Sequence, residues 1–476
     1  MASLGEVLAR VDASEVARGD FRVSGATNVD ISDVTHDSRT VQRGSLFCCV
    51  PGEQRDGHDF AVEAAQAGAT ALLVEREVPG AHVTQVVVRD VRRSMGYVSA
   101  AFHQHPSRAL TVVGVTGTNG KTTTAQMLGA ILSQSGKRTS VFGTLTGTRT
   151  TPEAPELQRT LAHERAKGTA AVVMEVSSHA LALQRVAGMH FAAAIFTNLG
   201  HDHLDFHRTH DAYFAAKASL FSSTYTTLAV LNRDDAYGRK IADSTDVDVV
   251  TFGRDDASAV TVDASQAQFT WRGAQVRYGI GGDFNVLNAL AAATAAASLG
   301  ISVTDVVSGL AAVGRIAGRF DNVNAGGDFA VIVDYAHTPE ALRNVLSSAR
   351  ALLGTGSGRV TVVFGCGGDR DPSKRAEMGA AAVAADSIII TSDNPRHESP
   401  QAIIDAIVGG IPDSERARVL VEVDRRRAIG RAIADARRGD VVIIAGRGHE
   451  TMQSVAGREV PFDDAVVAHE VLGAAS

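Results

Sequence analysis

Cysteine is scarce in this chain, with three in 476 residues. Cys48 and Cys49 are adjacent within an apolar run, so neither a disulfide framework nor a metal-ligand spacing is available. They read as buried small hydrophobes in a reducing compartment. Long apolar runs are also missing. No segment approaches the roughly 18 consecutive apolar residues of a membrane-spanning helix, and the first residues lack the basic, apolar and small-residue pattern of a secretory leader. A cytoplasmic protein without membrane insertion is expected. Nor is there an excess of one charge: 46 basic against 53 acidic residues give −7. No Lys/Arg stripe suggests a nucleic-acid partner, and Arg425-Arg426-Arg427 reads as a solvated helix face. What is present is ordinary for a globular protein, 45% hydrophobic and 21% charged residues. The length exceeds what one core usually serves, so two or three domains are expected.

Three stretches differ in texture. Over residues 1–106 short β-type runs (45–50, 71–74, 84–88) alternate with an alanine-rich helix around 61–67, a small α/β unit ended by His105-Pro106-Ser107. Over 107–317 strand-type runs at 110–113, 171–176, 191–196 and 228–231 alternate with helices, the last of them 284–299 closed by Gly300. This rhythm implies a mostly parallel sheet covered on both faces. Residues 259–280 alternate apolar and polar, carry the single tryptophan, Trp271, and predict a small antiparallel insertion. Over 318–476 the βα rhythm restarts, with strands at 330–333, 360–364, 388–391, 419–423 and 441–445, predicting a second doubly wound domain.

The most informative segment is Gly114-Val115-Thr116-Gly117-Thr118-Asn119-Gly120-Lys121-Thr122, which follows an apolar strand and opens a helix that stops at Gly136. Strand, glycine-rich loop and helix together form the setting of a phosphate-binding loop, whose backbone N–H groups and helix N-terminus attract phosphate oxygens. Lys121 would reach the β- and γ-phosphates, and Thr122 would ligand Mg²⁺. The loop is a variant, because Val115 stands where the commonest form has glycine. The bland alternative is an ordinary glycine-rich βα turn. Glu175, in Met174-Glu175-Val176-Ser177-Ser178-His179 at a strand's carboxyl end, can complete the cation's shell or merely cap the strand.

Residues 197–207 (TNLGHDHLDFH) place several ionisable groups directly after an apolar strand, which is costly unless they are paired or bind metal. Zinc is disfavoured, since no cysteine completes a tetrahedral set and a phosphate loop already calls for Mg²⁺. Lys217, among alanines on a helix over 213–221, reads by itself as a surface lysine. In the third stretch, strand ends carry Val333-Asp334-Tyr335-Ala336-His337, Gly365-Cys366-Gly367-Gly368-Asp369-Arg370, Ser392-Asp393-Asn394-Pro395-Arg396 and Gly446-Arg447-Gly448-His449-Glu450. The second is not a dinucleotide fingerprint, because Arg370 occupies its last glycine position. Charged groups of both signs along one sheet edge suit a zwitterion such as an amino acid.

Taken together, these motifs resemble the Mur ligases of peptidoglycan synthesis, and the resemblance extends from Asp37-Ser38-Arg39 and Asp56-Gly57-His58 to Gly446–Glu450. It implies three domains: a small N-terminal α/β domain (1–106) holding a UDP moiety, a central phosphate-loop ATPase domain (107–317), and a Rossmann-like C-terminal domain (318–476) holding the incoming amino acid. It assigns Gly117, Thr118, Asn119, Gly120, Lys121, Thr122, Thr123, Asn285, Arg319 and Asp334 to ATP. It adds Glu175, His203 and Lys217 to Thr122 as Mg²⁺ ligands, Lys217 as an N6-carboxylysine whose carbamate oxygens bind the cation. The resemblance gives Ser38, Thr150, Thr151, Ser177 and Arg185 to the muramoyl-peptide substrate, and Arg370, Asp393, Asn394, Pro395, Arg396, Gly446 and Glu450 to diaminopimelate. The chain departs from the family pattern at Gly200-His201, Leu183 and Arg447.

The implied reaction is ATP-dependent addition of meso-2,6-diaminopimelate to the D-glutamate of UDP-N-acetylmuramoyl-L-alanyl-D-glutamate through an acyl phosphate, by a monomer acting on small molecules. Lys121, Glu175, His203 and Lys217 would stabilise the developing charge. Arg396 bears on which amino acid is added, since a guanidinium forks onto a carboxylate and repels an ammonium. A lysine-adding ligase, a nucleotide-dependent switch and a non-catalytic binding module are the alternatives.

Overall fold

In the computed structural model, residues 2–11, 21–52, 55–147, 149–324 and 326–475 are described. The central sheet has six parallel strands in the order Asp248–Phe252, Leu228–Asn232, Ala193–Phe196, Thr111–Thr116, Ala171–Glu175 and Thr139–Phe142. Its inner strands are buried along their length, which is why they read as unbroken apolar runs rather than alternating ones. Thr111–Thr116 lies between Ala171–Glu175 and Ala193–Phe196, with Val113 opposite both Val173 and Ala193. The loops after these three strands therefore emerge together at one carboxyl edge, where doubly wound sheets bind their ligands.

The helix Lys121–Gln134 packs under that edge against Phe284–Ser298 and Val303–Ala311. A Cβ on Gly309 would lie 2.4 Å from the Ile131 Cα, so glycine there lets two backbones touch and leaves the phosphate-loop helix no room to shift. The expected antiparallel insertion is a separate sheet of Ser258–Val262, Ala267–Trp271 and Ala274–Tyr278, whose Phe269, Trp271 and Val276 join the main core.

The C-terminal sheet runs Asp321–Asn322, Ala330–Asp334, Val441–Ala445, Val360–Phe364, Ser387–Ile390 and Val419–Val421, parallel except for its first strand. Leu342, Met378 and Ile403 cover one face, and Ile429 and Val467 the other. The N-terminal sheet has five strands, Arg22–Ser24, Thr84–Val87, Ala71–Val74, Ser45–Cys48 and Asp33–Thr35. Cys48 and Cys49 are buried there as expected, and Cys366 is buried in the C-terminal domain.

Two readings are corrected. Arg425 is not on a solvated face: its side chain is fully buried and forked onto Asp464, with Nε–Oδ1 and Nη2–Oδ2 both 2.7 Å, and only Arg426 and Arg427 face solvent. It begins the helix Arg425–Ala434 and points under the strand ends, donating to the carbonyls of Ser392 and Ala445. The reading of Lys217 as a surface lysine also fails, since it is 1% exposed on the helix His210–Ala218.

Candidate functional site

The phosphate loop is built around Gly120, whose φ of +85° and whose approach to Asn288 Oδ1 (2.3 Å from an added Cβ) leave no place for a side chain. Lys121 follows as the first residue of its helix, and its Nζ donates to the carbonyls of Gly117 and Thr118, both at 2.9 Å. Lys217 Nζ donates to the same Gly117 carbonyl at 2.8 Å and lies 4.7 Å from the Tyr213 ring centroid. Burial lowers the pKa of both lysines, that of Lys217 well below the usual value, with Lys121 depressing it further.

Thr122 Oγ1 donates to Glu175 Oε1 at 3.0 Å and accepts from Arg319 Nη2 at 2.9 Å, so a C-terminal-domain arginine reaches the phosphate-loop helix. Glu175 also accepts from Thr144 N (2.9 Å) and Thr144 Oγ1 (3.2 Å). Arg319 lies over the Tyr335 ring at 4.8 Å. Asp334 Oδ2 accepts from Phe320 N at 2.6 Å, and burial pushes its carboxyl up to about 6. These groups, with Thr123, Thr150 and Ser177, surround a cavity of about 200 Å³ between the central and C-terminal domains.

A second cavity, about 300 Å³, is lined by Arg370, Asp393, Asn394, Arg396, Gly446 and Glu450. Glu450 accepts from Asn394 Nδ2 at 2.7 Å and from the Tyr335 hydroxyl at 3.4 Å; burial and the nearby Asp393 raise its pKa. Arg396 adopts φ +53° and donates through Nη1 to Gly368 O at 2.5 Å. Glu398 pairs with Arg375 instead, at 2.8 Å, which leaves the Arg396 guanidinium without a carboxylate partner among the described residues.

Asp202, His203, Tyr335 and His337 line both cavities. Asp202 is the hub of this shared wall, 3.4 Å from His203 Nε2, 3.7 Å from His337 Nε2 and 3.9 Å from Lys374 Nζ. Burial opposes its ionisation, but the imidazoles and Lys374 outweigh it and hold the carboxyl well below its usual range.

Not every expected residue converges here. Ser38 begins a short 3₁₀ turn in the N-terminal domain and lines neither cavity. Thr151 is buried behind the first cavity, accepting from Ser177 N and donating to Glu175 O. Arg185 pairs with Glu153 at 2.9 Å and donates to Thr151 O. Pro395 is buried beside the second cavity without lining it. Asn285 does not line the first cavity but orients Asn288, which does, accepting from Asn288 Nδ2 at 2.8 Å. Asp202, Tyr335 and His337 stand inside motifs quoted above without an assigned contact, whereas nothing local marks Asn288 or Lys374.

A cation is tested by the donor set. Among the described residues no three His, Cys, Asp or Glu side chains are placed to hold a metal ion together, which disfavours a site built from protein ligands alone. The adjacent Thr122 hydroxyl and buried Glu175 carboxylate are hard oxygen donors at the mouth of a phosphate loop, a partial shell that phosphate oxygens would complete and that suits Mg²⁺.

A phosphate-loop domain whose cavity shares a wall with a second cavity, lined by charges of both signs in a Rossmann-like domain, fits one class, the nucleotide-driven amide-bond-forming ligases. Family models match in three parts: "Mur ligase family, catalytic domain" over 30–109, "Mur ligase middle domain" over 115–296 and "Mur ligase, glutamate ligase domain" over 318–448. The chain is 43% identical over 471 residues to the UDP-N-acetylmuramoyl-L-alanyl-D-glutamate–2,6-diaminopimelate ligase of Syntrophomonas wolfei, covering 94% of this chain and 96% of that one. The protein of the same name from Streptomyces coelicolor is 42% identical, with 94% and 93% covered. A solved structure with that name superposes with a TM-score of 0.66 at 31% identity, covering 100% of this chain and 99% of the other. MurF from Acinetobacter baumannii, 22% identical with a TM-score of 0.65 and 93% and 95% covered, shares the fold. The chain belongs to the Mur ligase family.

Proposed function

We propose that this protein is an ATP- and Mg²⁺-dependent ligase that joins meso-2,6-diaminopimelate to the D-glutamate of UDP-N-acetylmuramoyl-L-alanyl-D-glutamate. The observation that carries this reading is the shared wall: a phosphate-loop cavity and a cavity lined by Arg370, Arg396, Asp393 and Glu450 meet at Asp202, Tyr335 and His337. A carboxylate does not react with an amine unaided, because resonance protects it and its oxygen leaves poorly. Transfer of the γ-phosphoryl group gives an acyl phosphate. The amine then attacks its carbonyl carbon, the C–O bond breaks, and phosphate departs with the proton lost from nitrogen.

In this reading Lys121 neutralises charge on the transferred group and Arg319 reaches it from the other domain. Thr122 and Glu175 would hold the Mg²⁺ with His203, the cation screening phosphate charge. Lys217 fits a carbamate: it is buried, has no carboxylate within ion-pair distance among the described residues, and is pushed toward the neutral amine that adds CO₂ with loss of a proton. In this reading residues 1–106 with Ser38, and Thr150, Thr151, Ser177 and Arg185 of residues 107–317, take the muramoyl nucleotide. Arg319 and Asp334 serve ATP directly, Asn285 by orienting Asn288 at the cavity wall, and residues 318–476 take the amino acid.

We place the enzyme in the cytoplasm as a monomer; no helix of the described residues is long and apolar enough to cross a membrane. Phosphate release measured across a panel of amino acids tests the reading. Release should require both the UDP-muramoyl dipeptide and diaminopimelate. Equal use of L-lysine would refute the specificity, and release without either substrate would refute the ligase.

A further inference from the structure

A β-hairpin, Met452–Val455 paired with Arg458–Pro461, stands beside the second cavity without lining it. It grips the loop that carries Asp393, Asn394 and Arg396. The Arg396 N–H donates to Ser454 O at 3.0 Å, Ser454 N donates to Asn394 Oδ1 at 2.9 Å, and Gln453 Nε2 donates to Asp393 O at 2.5 Å. Arg396 needs such a grip. Its φ of +53° is left-handed, a conformation a side chain keeps only when its surroundings enforce it.

The hairpin is itself anchored. At its root the fully buried Arg447 donates through Nη2 to Met452 O (2.8 Å), where the first arm starts, and to Phe462 O (2.9 Å), just past the end of the second, and its guanidinium lies 5.1 Å from the Phe462 ring centroid. At its tip Ala456 and Gly457 both have positive φ, the two-residue turn whose twist matches paired strands. A Cβ on Gly457 would lie 3.2 Å from His397 Nε2, so the tip rests on the residue after Arg396.

We infer that this hairpin is the brace that sets amino-acid specificity, with Gln453 and Arg447 as positioning residues that hold the Asp393–Arg396 loop in its left-handed form. The inference rests on the proposed use of diaminopimelate. A carboxylate is recognised by a guanidinium only when the fork is held within a fraction of an ångström, and a loop free to leave φ +53° would turn Arg396 off the cavity. The competing account is that the hairpin merely shields the sheet edge.

The test is Gln453→Met, which keeps the side chain's size and removes its donor, assayed with each of the three substrates varied in turn. KM for diaminopimelate should rise roughly three- to tenfold, the loss of one hydrogen bond. KM for ATP and for the muramoyl nucleotide should stay put, with kcat within about twofold. Unchanged constants, or an equal worsening of all three, would overturn the inference. Should Gln453→Met not fold, Gly457→Val, which strains the tip against His397, is read in the same way. Hydrogen exchange of the Arg396 amide in the substrate-free enzyme gives a second readout and should quicken in either variant; an unaltered rate refutes the brace. A wild-type enzyme that rejects diaminopimelate would sink the proposed function alone, because the exchange experiment would still decide whether the hairpin holds the loop.

Discussion

Lys121 and Lys217 meet on one oxygen, the Gly117 carbonyl, at 2.9 and 2.8 Å. Two ammonium groups so placed in a buried site oppose each other, and the more deeply buried one, Lys217, gives way. In crystals grown with ATP and Mg²⁺, density should continue beyond its Nζ as a planar carbamate. A bare amine there would count against its role as a ligand. Among the described residues Lys121 Nζ bonds only to loop carbonyls, so Lys121→Ala should fold normally by circular dichroism yet lose phosphate release by at least ~10²-fold.

Arg396 should decide between amino acids that differ by one carboxylate. Removing one partner of a buried charge pair costs ~2–5 kcal/mol, so Arg396→Ala should lower kcat/KM with diaminopimelate by roughly thirty- to several-thousand-fold. Arg396→Lys should restore only part of it, since an ammonium lacks the fork. ATP binding, followed by calorimetry, should change little. An unaltered preference for diaminopimelate over lysine in Arg396→Ala would remove this residue from the specificity.

Asp334 gives a pH signature. Burial raises its carboxyl to about 6 from 3.8, so the folded protein binds this proton more tightly than the unfolded chain. The ionised form costs stability above pH 6, and that cost is relieved as the pH falls through 6 toward 3.8. Asp334→Asn keeps an oxygen for the Phe320 N–H and carries no charge. Its unfolding free energy in denaturant should exceed wild type at pH 8, by an amount bounded at roughly 3 kcal/mol, and the advantage should vanish near pH 4. A difference independent of pH would exclude this cause.

The Arg425–Asp464 pair predicts an asymmetry. Asp464→Ala strands a buried guanidinium and should cost ~3–5 kcal/mol in denaturant unfolding, whereas replacing both, Arg425→Met with Asp464→Leu, should recover much of the loss. Equal costs for the single and double variants would contradict the account.

These residues show what the sequence can and cannot say. The phosphate loop, Glu175 and the strand ends are legible because each depends on a contiguous segment: strand, turn and helix start follow one another in the chain. Lys217 and Arg425 are misread by composition alone because their burial comes from distant partners, the Gly117 carbonyl in one case and Asp464 in the other. The hairpin over 452–461 escapes notice because its arms are mostly exposed and too polar to alternate. The strand Thr139–Phe142 is missed at the sheet's edge, where half-burial weakens the apolar signal.

The wall formed by Asp202, Tyr335 and His337 has a consequence for fuel economy. With the two cavities meeting at these shared residues, a carboxyl group activated in one would stand next to an amine held in the other. The lifetime of the activated group is then governed by whether the far compartment is filled. An enzyme of this layout wastes nucleotide chiefly when its last substrate is missing.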